Sequence, residues 1–205
     1  KELPEVDAVL GIGCNGDIVA AVEQALAGSG FEKFGDKYDL ALEGERVLTT
    51  PKYTAYVRTS DGCDNCCTYC TIPKIRGRFR SRKTEDIVAE TRSLAARGVK
   101  EIVLIAQDTT MYGRDLYGEP KLAELLDELC KIDGIEWIRM LYTYPDLITD
   151  ELLDTMARQE KVLNYLDIPL QHCDGDILKR MNRKGDRRSL TALMAHIREK
   201  LPDVT

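Results

Sequence analysis

Four of the chain's seven cysteines fall within eight residues, inside the stretch Ser60 to Lys83, SDGCDNCCTYCTIPKIRGRFRSRK. Cys63, Cys67 and Cys70 stand in the spacing C-x3-C-x2-C, which lets three thiolates converge on one small object from a single loop. Three is the informative number. A structural zinc site closes its tetrahedron with four ligands, and an ordinary cubane iron-sulfur cluster takes four cysteines. A loop giving three leaves one metal position open, as reactive metal sites do. Cys66 offers a second reading, in which Cys63, Cys66, Cys67 and Cys70 form two C-x2-C pairs around zinc. The usual zinc pattern separates its pairs by about a dozen residues or more, whereas Cys66 and Cys67 are neighbours. A disulfide staple is weaker still, because no stretch resembles a secretory signal and the other cysteines are scattered.

The elements that must position this loop follow from composition and periodicity. The 205 residues suffice for a substantial core, and no apolar run approaches the roughly 20 residues of a membrane span, so the expectation is a cytoplasmic protein with no membrane partner. A formal charge of -6 argues against a surface built to wrap nucleic acid. The local exception adjoins the cysteines: Lys74, Arg76, Arg78, Arg80, Arg82 and Lys83 contain no carboxylate among them. In an extended segment Arg78, Arg80 and Arg82 would share one face. That face is either a solvated edge or a basic lip for an acidic partner, a phosphate or a cofactor carboxylate.

Upstream, Val6 to Leu10 is a short apolar run, followed by Gly11-Ile-Gly13-Cys14-Asn-Gly16 and a helical pattern over 17–26 with Ile18, Val19, Val22 and Leu26 on one face. Strand, G-x-G-x-x-G and helix match the dinucleotide fingerprint, and Glu32 lies near the offset of a ribose-binding acid. The stretch 27–34 has no second apolar strand to carry that acid, so a plain glycine turn into a helix is the better reading. Residues 33–52, broken by Gly35, Gly44 and Pro51, read as a linker.

Downstream, Ala55 to Thr59 is a β-rich segment running into the cysteine loop. Thr84 caps a helix with Glu85 and Asp86 in its first turn and Gly98 as its stop. Glu101 to Ala106 is a strand apolar on both faces; Leu122, Leu125, Leu126 and Leu129 mark a helix, 137–141 a strand, 149–157 a capped helix, and 162–168 a fourth strand ended by Pro169. Helices over 174–181 and 189–200 close the chain. Alternation at this spacing implies right-handed βαβ crossovers and a parallel sheet curling toward a barrel.

Cys63-x3-Cys67-x2-Cys70 with aromatic Tyr69 before the last cysteine resembles the radical S-adenosylmethionine superfamily. In that superfamily three cysteines hold a 4Fe-4S cluster, and the free iron chelates the amino and carboxylate groups of S-adenosylmethionine. An electron from the cluster then yields an adenosyl radical able to abstract hydrogen from carbon too weakly acidic for a side-chain base. The resemblance narrows over Leu104-Ile-Ala-Gln-Asp-Thr-Thr-Met-Tyr-Gly113, Tyr142-Thr-Tyr-Pro145, Leu166-Asp-Ile-Pro-Leu-Gln-His172 and Leu178-Lys-Arg-Met-Asn-Arg183, which look like the methylthiotransferases. Ala106-Gln107-Asp108 and Gln171-His172 look like the RimO branch, acting on an aspartate of small-subunit ribosomal protein twelve. The tRNA-modifying MiaB branch has Gly-Gln-Asn and Gln-Ser there.

That resemblance implies an α/β fold, a partial (β/α) barrel of the radical S-adenosylmethionine type over 46–205, preceded over 1–45 by the tail of an N-terminal α/β domain and a linker. It implies a piece truncated at both ends, which would bind the radical cluster without completing the reaction. A second 4Fe-4S cluster of the full-length family would have its ligands outside this sequence. The implied substrate is a small-subunit ribosomal protein, free or on the assembling ribosome; the sequence names neither electron donor nor sulfur donor. The expected metal ligands are Cys63, Cys67 and Cys70, and the expected cofactor contacts are Tyr69, Gln107, Asp108, Asp167 and Gln171 at strand ends or inside strands. His172 reads as a structural hydrogen-bonder, Cys130 as a small core residue, Cys66 as a neighbour of the cluster, and Cys173 as a free thiol. The rivals are tRNA methylthiolation and a non-catalytic four-cysteine zinc module whose basic lip docks RNA or protein.

Overall fold

A computed structural model describes residues 5–39, 44 and 46–205. Parts of the expected linker and the start of the N-terminal tail, at 1–4, 40–43 and 45, lie outside the described residues.

The N-terminal unit is a small βαβ arrangement. β1 (Ala8–Leu10) and β2 (Phe31–Lys33) pair in parallel, Ala8 opposite Phe31, around α1 (Ile18–Leu26). The second strand therefore exists, against the sequence reading: three residues, of which only Phe31 is half-buried, gain their order from backbone pairing to β1 rather than from an apolar run. The glycine loop nonetheless has no room for a nucleotide. A Cβ on Gly13 would come within 2.0 Å of the Asp36 carbonyl oxygen, and one on Gly11 within 3.1 Å of the Phe34 backbone. The chain following β2 fills the space where a pyrophosphate would approach.

The larger unit is built on β3 (Thr54–Arg58), β6 (Glu101–Ile105) and β7 (Trp137–Met140), parallel in the order β3, β6, β7. Between β3 and β6 the chain forms a short antiparallel hairpin of β4 (Ser60–Asp61) and β5 (Arg80–Ser81), with α2 (Ile72–Arg76) inside it, then α3 (Thr84–Ala96). α4 (Arg114–Tyr117) and α5 (Leu122–Cys130) precede β7; α6 (Asp150–Arg158), α7 (Gly175–Arg180) and α8 (Arg187–Lys200) follow it.

Register assigns the two faces of the sheet. Ala55, Val57, Ile102, Leu104, Ile138 and Met140 point one way, into a core with Ile87 and Leu94 of α3, the four leucines of α5, and Leu152, Leu153 and Met156 of α6. Burying such a side chain fully is worth about 1.5–3 kcal/mol, so this layer holds the sheet to its helices. The opposite face carries Tyr56, Val103 and Arg139, in register across the three strands. There Arg139 pairs with Glu101 at 2.9 Å and lies over the Tyr165 ring. This polar concave side is the interior of an open barrel.

Two expectations need correction. Thr84 is the first residue of α3 rather than its cap, its hydroxyl lying 3.0 Å from the Tyr112 hydroxyl. The expected fourth strand at 162–168 forms one bridge, Ile138 to Val162, and then departs from the ladder. Its later backbone groups are claimed elsewhere: Asp167 O accepts from Thr143 N, and Leu166 N donates to Thr205 O. Thr149 caps α6, and Asp186 with Ser189 forms a capping box on α8. Among the described residues no helix is long and apolar enough to cross a membrane.

Candidate functional site

The cysteine loop leaves the carboxyl end of β3 and is fastened by bonds from three directions. The β4–β5 hairpin supplies the first: buried Asp61 accepts from Arg76 at 2.9 Å and Arg80 at 3.3 Å, and Asp64 accepts from Arg78 at 2.8 and 3.0 Å and from Phe79 N at 3.1 Å. The Asp64 carboxyl sits below its usual range; burial opposes this, and the bonds from Arg78 and Phe79 outweigh it. Arg82 is buried against Glu90 and the Arg58 carbonyl. Of the two readings of these arginines, a solvated edge and a basic lip, the lip loses free charge: Asp61, Asp64 and Glu90 engage Arg76, Arg78, Arg80 and Arg82, while the Arg78 side chain stays exposed. Gly62 enters this hairpin at φ +78, where a Cβ would lie 2.2 Å from the Arg78 carbonyl oxygen.

The second attachment comes from the end of β6. Buried Asp108 accepts from Asn65 Nδ2 at 2.8 Å, Thr110 N at 3.1 Å and the Thr110 hydroxyl. Burial pushes its carboxyl up, and the bonds from Thr110 and Asn65 oppose the rise. The third comes from the turn after α7: Thr68 donates from N to the Met181 carbonyl and from Oγ1 to the Arg180 carbonyl, and Asn182 Nδ2 donates to the carbonyls of Asn65 and Cys66.

Between these attachments lies a cleft of about 610 Å³ whose lining includes Cys63, Cys67, Cys70, Tyr69, Gln107 and Gln171. Six of the eight sequence-predicted site residues therefore meet in one place. Asp108 and Asp167 are not in its lining. Asp108 holds Asn65, as above, and Asp167 accepts from Tyr142 N at 3.0 Å, so each acts on a neighbour that does line the cleft. Sequence reasoning passed over Asn65, Tyr142, Tyr144 and Arg183, all on the cleft wall. Nothing local to Asn182 or Arg183 signals their reach back to the cysteine loop.

Burial pushes the Cys63 thiol up to about 11, and nearby Asp108, Cys67 and Cys70 add to the rise. Such a thiol surrenders its proton to a metal rather than to water. Burial also raises the Tyr69 phenol, with Cys67 adding to the shift and Arg183 opposing it. Two buried acceptors on the cleft, Gln107 Oε1 and Ser60 Oγ, have no hydrogen-bond partner among the described residues. Three soft thiols beside unpaired polar atoms fit an iron-sulfur cluster with a polar organic ligand. Among the described residues no three side chains converge on a single metal ion; a cubane presents several irons, and its donors stand apart. Cys66, at φ +49, is exposed and outside the lining, so the four-cysteine zinc reading lacks its fourth ligand there. His172 accepts from Asp174 N at 2.9 Å, and Cys173 is exposed beside Arg187, both away from the cleft.

The chain is 47% identical over 205 residues to a ribosomal protein uS12 methylthiotransferase RimO of Clostridium tetani, covering 99% of this chain and 46% of that protein. The same-named protein of Thermoanaerobacter sp. is 47% identical over 199 residues, covering 97% and 46%. The chain thus spans about half the length of the curated relatives it matches. Among solved structures, the radical S-adenosylmethionine methyltransferase TsrM of Kitasatospora setae, with cobalamin and a 4Fe-4S cluster bound, superposes with a TM-score of 0.61 at 16% identity, over 80% of this chain and 34% of that one. The cobalamin-dependent radical enzyme OxsB superposes at 0.54, also at 16% identity, over 71% and 22%. These two likenesses concern the fold. Residues 57–205 match the radical SAM superfamily, and the chain belongs to it.

Proposed function

We propose that the chain is the cluster-binding part of a methylthiotransferase that adds a methylthio group to the β-carbon of an aspartate in ribosomal protein uS12. The observation that carries this reading is the 47% identity sustained across the whole chain to proteins of that name, and the cleft suits it. Cys63, Cys67 and Cys70 would hold a 4Fe-4S cluster. Gln107 Oε1, buried and unpaired among the described residues, would accept from the amino group of S-adenosylmethionine, with Tyr69 and Gln171 bordering the same ligand. Asp108 and Asp167 act at one remove, by holding Asn65 and the Tyr142 backbone. When bound, the cluster and S-adenosylmethionine supply hydrogen abstraction from carbon that no side-chain base can deprotonate.

The first test is anaerobic reconstitution with iron and sulfide, followed by low-temperature EPR after reduction. A cubane signal that shifts on adding S-adenosylmethionine is expected. Stoichiometric zinc with no signal would return the case to a binding module. The substrate is tested on the full-length protein by mass spectrometry of uS12: a methylthio increment on one aspartate is expected, and modified tRNA with unchanged uS12 would shift the assignment to the tRNA branch.

A further inference from the structure

Arg183 is on the cleft wall, and its surroundings are unusual for a cation. Only 8% of it is exposed. Its Nη1 lies 3.8 Å from Cys67 Sγ, its Nη2 donates to the Pro169 carbonyl at 2.6 Å, and its guanidinium stacks 4.2 Å from the Tyr144 ring centroid. Among the described residues no carboxylate pairs with it. Burying a charge without an opposite charge is expensive; the groups beside it able to become anions are the Cys67 thiol and the phenols of Tyr69 and Tyr144, and of these the thiol is the one a bound metal deprotonates. The arm is not free to drift away. Arg183 N donates to the Leu178 carbonyl at 2.8 Å, closing the end of α7, and neighbouring Asn182 is tied to the carbonyls of Asn65 and Cys66.

We infer that Arg183 is a positioning residue that acts through Cys67 to raise the reduction potential of the cluster site. The inference rests on the reading above that Cys67 is a cluster ligand. Reduction adds negative charge to a thiolate-ligated centre, and hydrogen bonds to the sulfurs together with nearby positive charge are among the factors that set its potential. A guanidinium fixed on one face by an aromatic ring and on one edge by a carbonyl keeps its Nη1 on the sulfur, where it favours the reduced form. Lysine cannot reproduce this, because a point charge has no planar fork to span both acceptors.

The test is a redox titration of the reconstituted chain, followed by EPR, for wild type, Arg183→Met and Arg183→Lys, with iron content measured on each. Methionine keeps much of the length and the contact with Tyr144 while removing charge and donors. At the poise that half-reduces wild type, the reduced-to-oxidised ratio of Arg183→Met is expected to fall about tenfold, equivalent to about 59 mV for one electron. Arg183→Lys should shift in the same direction by less. Equal midpoints at equal iron content, or a shift to easier reduction, would overturn the inference while leaving the cluster reading intact. A wild-type chain that takes up no cluster would overturn both. If Arg183→Met takes up no iron, the lysine midpoint decides: a move to harder reduction supports the role, and an unchanged midpoint overturns it.

Discussion

The loop after β1 and the loop after β4 begin alike, as a short strand giving way to glycines and a cysteine, and they end as opposites. In the first, Gly11 and Gly13 admit the chain's own backbone at Phe34 to Asp36, and Cys14 is buried beneath Gly35. In the second, Gly62 admits the Arg78 carbonyl from one side only, and three cysteines remain on the wall of a cleft. The helices differ in the same way. α5 buries Leu122, Leu125, Leu126 and Leu129 under the sheet, whereas α1 leaves Ile18, Val19 and Leu26 at 54, 65 and 84% exposure. Its periodicity was read correctly, but no element among the described residues covers the face it predicts. A fingerprint therefore specifies what a loop can approach; what packs on that loop decides whether a ligand can reach it.

Substitutions can break or sharpen this contrast. The largest effect belongs to Cys67→Ala, which is expected to abolish the reconstituted EPR signal, whereas Cys14→Ala should leave signal and iron content unchanged. Next come the glycines. Gly62→Ala meets a carbonyl at 2.2 Å and a φ of +78, the angle alone costing about 1–2 kcal/mol, and should dismantle the cysteine loop together with its cluster. Gly13→Ala overlaps the Asp36 carbonyl at 2.0 Å and should unfold the N-terminal unit, seen as lost hydrogen-exchange protection there with the cluster retained. Gly16→Ala has nothing within 4 Å and should change neither.

In the core, Leu126→Ala should lower unfolding stability by about 2–5 kcal/mol in a denaturant titration, while Leu26→Ala on α1 should change it little. The pH dependence separates the regions again through Asp108. Its folded pKa is raised by burial, so folding favours the protonated form: the associated stability is present below the unfolded value and is lost as pH rises through the folded one. Asp108→Asn should flatten that part of a stability-against-pH curve. The smallest effect is Thr149→Ala, which removes the cap bond to Leu152 N on α6 and should cost about 1 kcal/mol.

Much of this molecule was legible without coordinates. The spacing of Cys63, Cys67 and Cys70 is a property of eight consecutive residues, and the leucines of α5 and the strand at 101–105 declare themselves by local periodicity. The strand expected at 162–168 failed because pairing is not local: after Leu163, whose amide still donates to Ile138 of β7, the Asp167 carbonyl and the Leu166 amide find Thr143 and Thr205 instead. The partners of the arginines at 78, 80 and 82 were hidden for a similar reason, since nothing in their alternation announces that Asp61, Asp64 and Glu90 will meet them.

The sequence by itself determined the spacing of the three cysteines, the principal strands and helices of the larger unit, and the apolar face of α5, because each depends on neighbours within a turn or two of the chain. Only the tertiary structure decided that Asn65 hangs from Asp108 across 43 residues, that Arg183 comes back to Cys67 across 116, and that the glycine loop is closed by its own chain. Those contacts follow from how the sheet and its helices bring distant segments to one end of the strands. No local pattern encodes them, since each partner alone would satisfy its hydrogen bonds equally well with water.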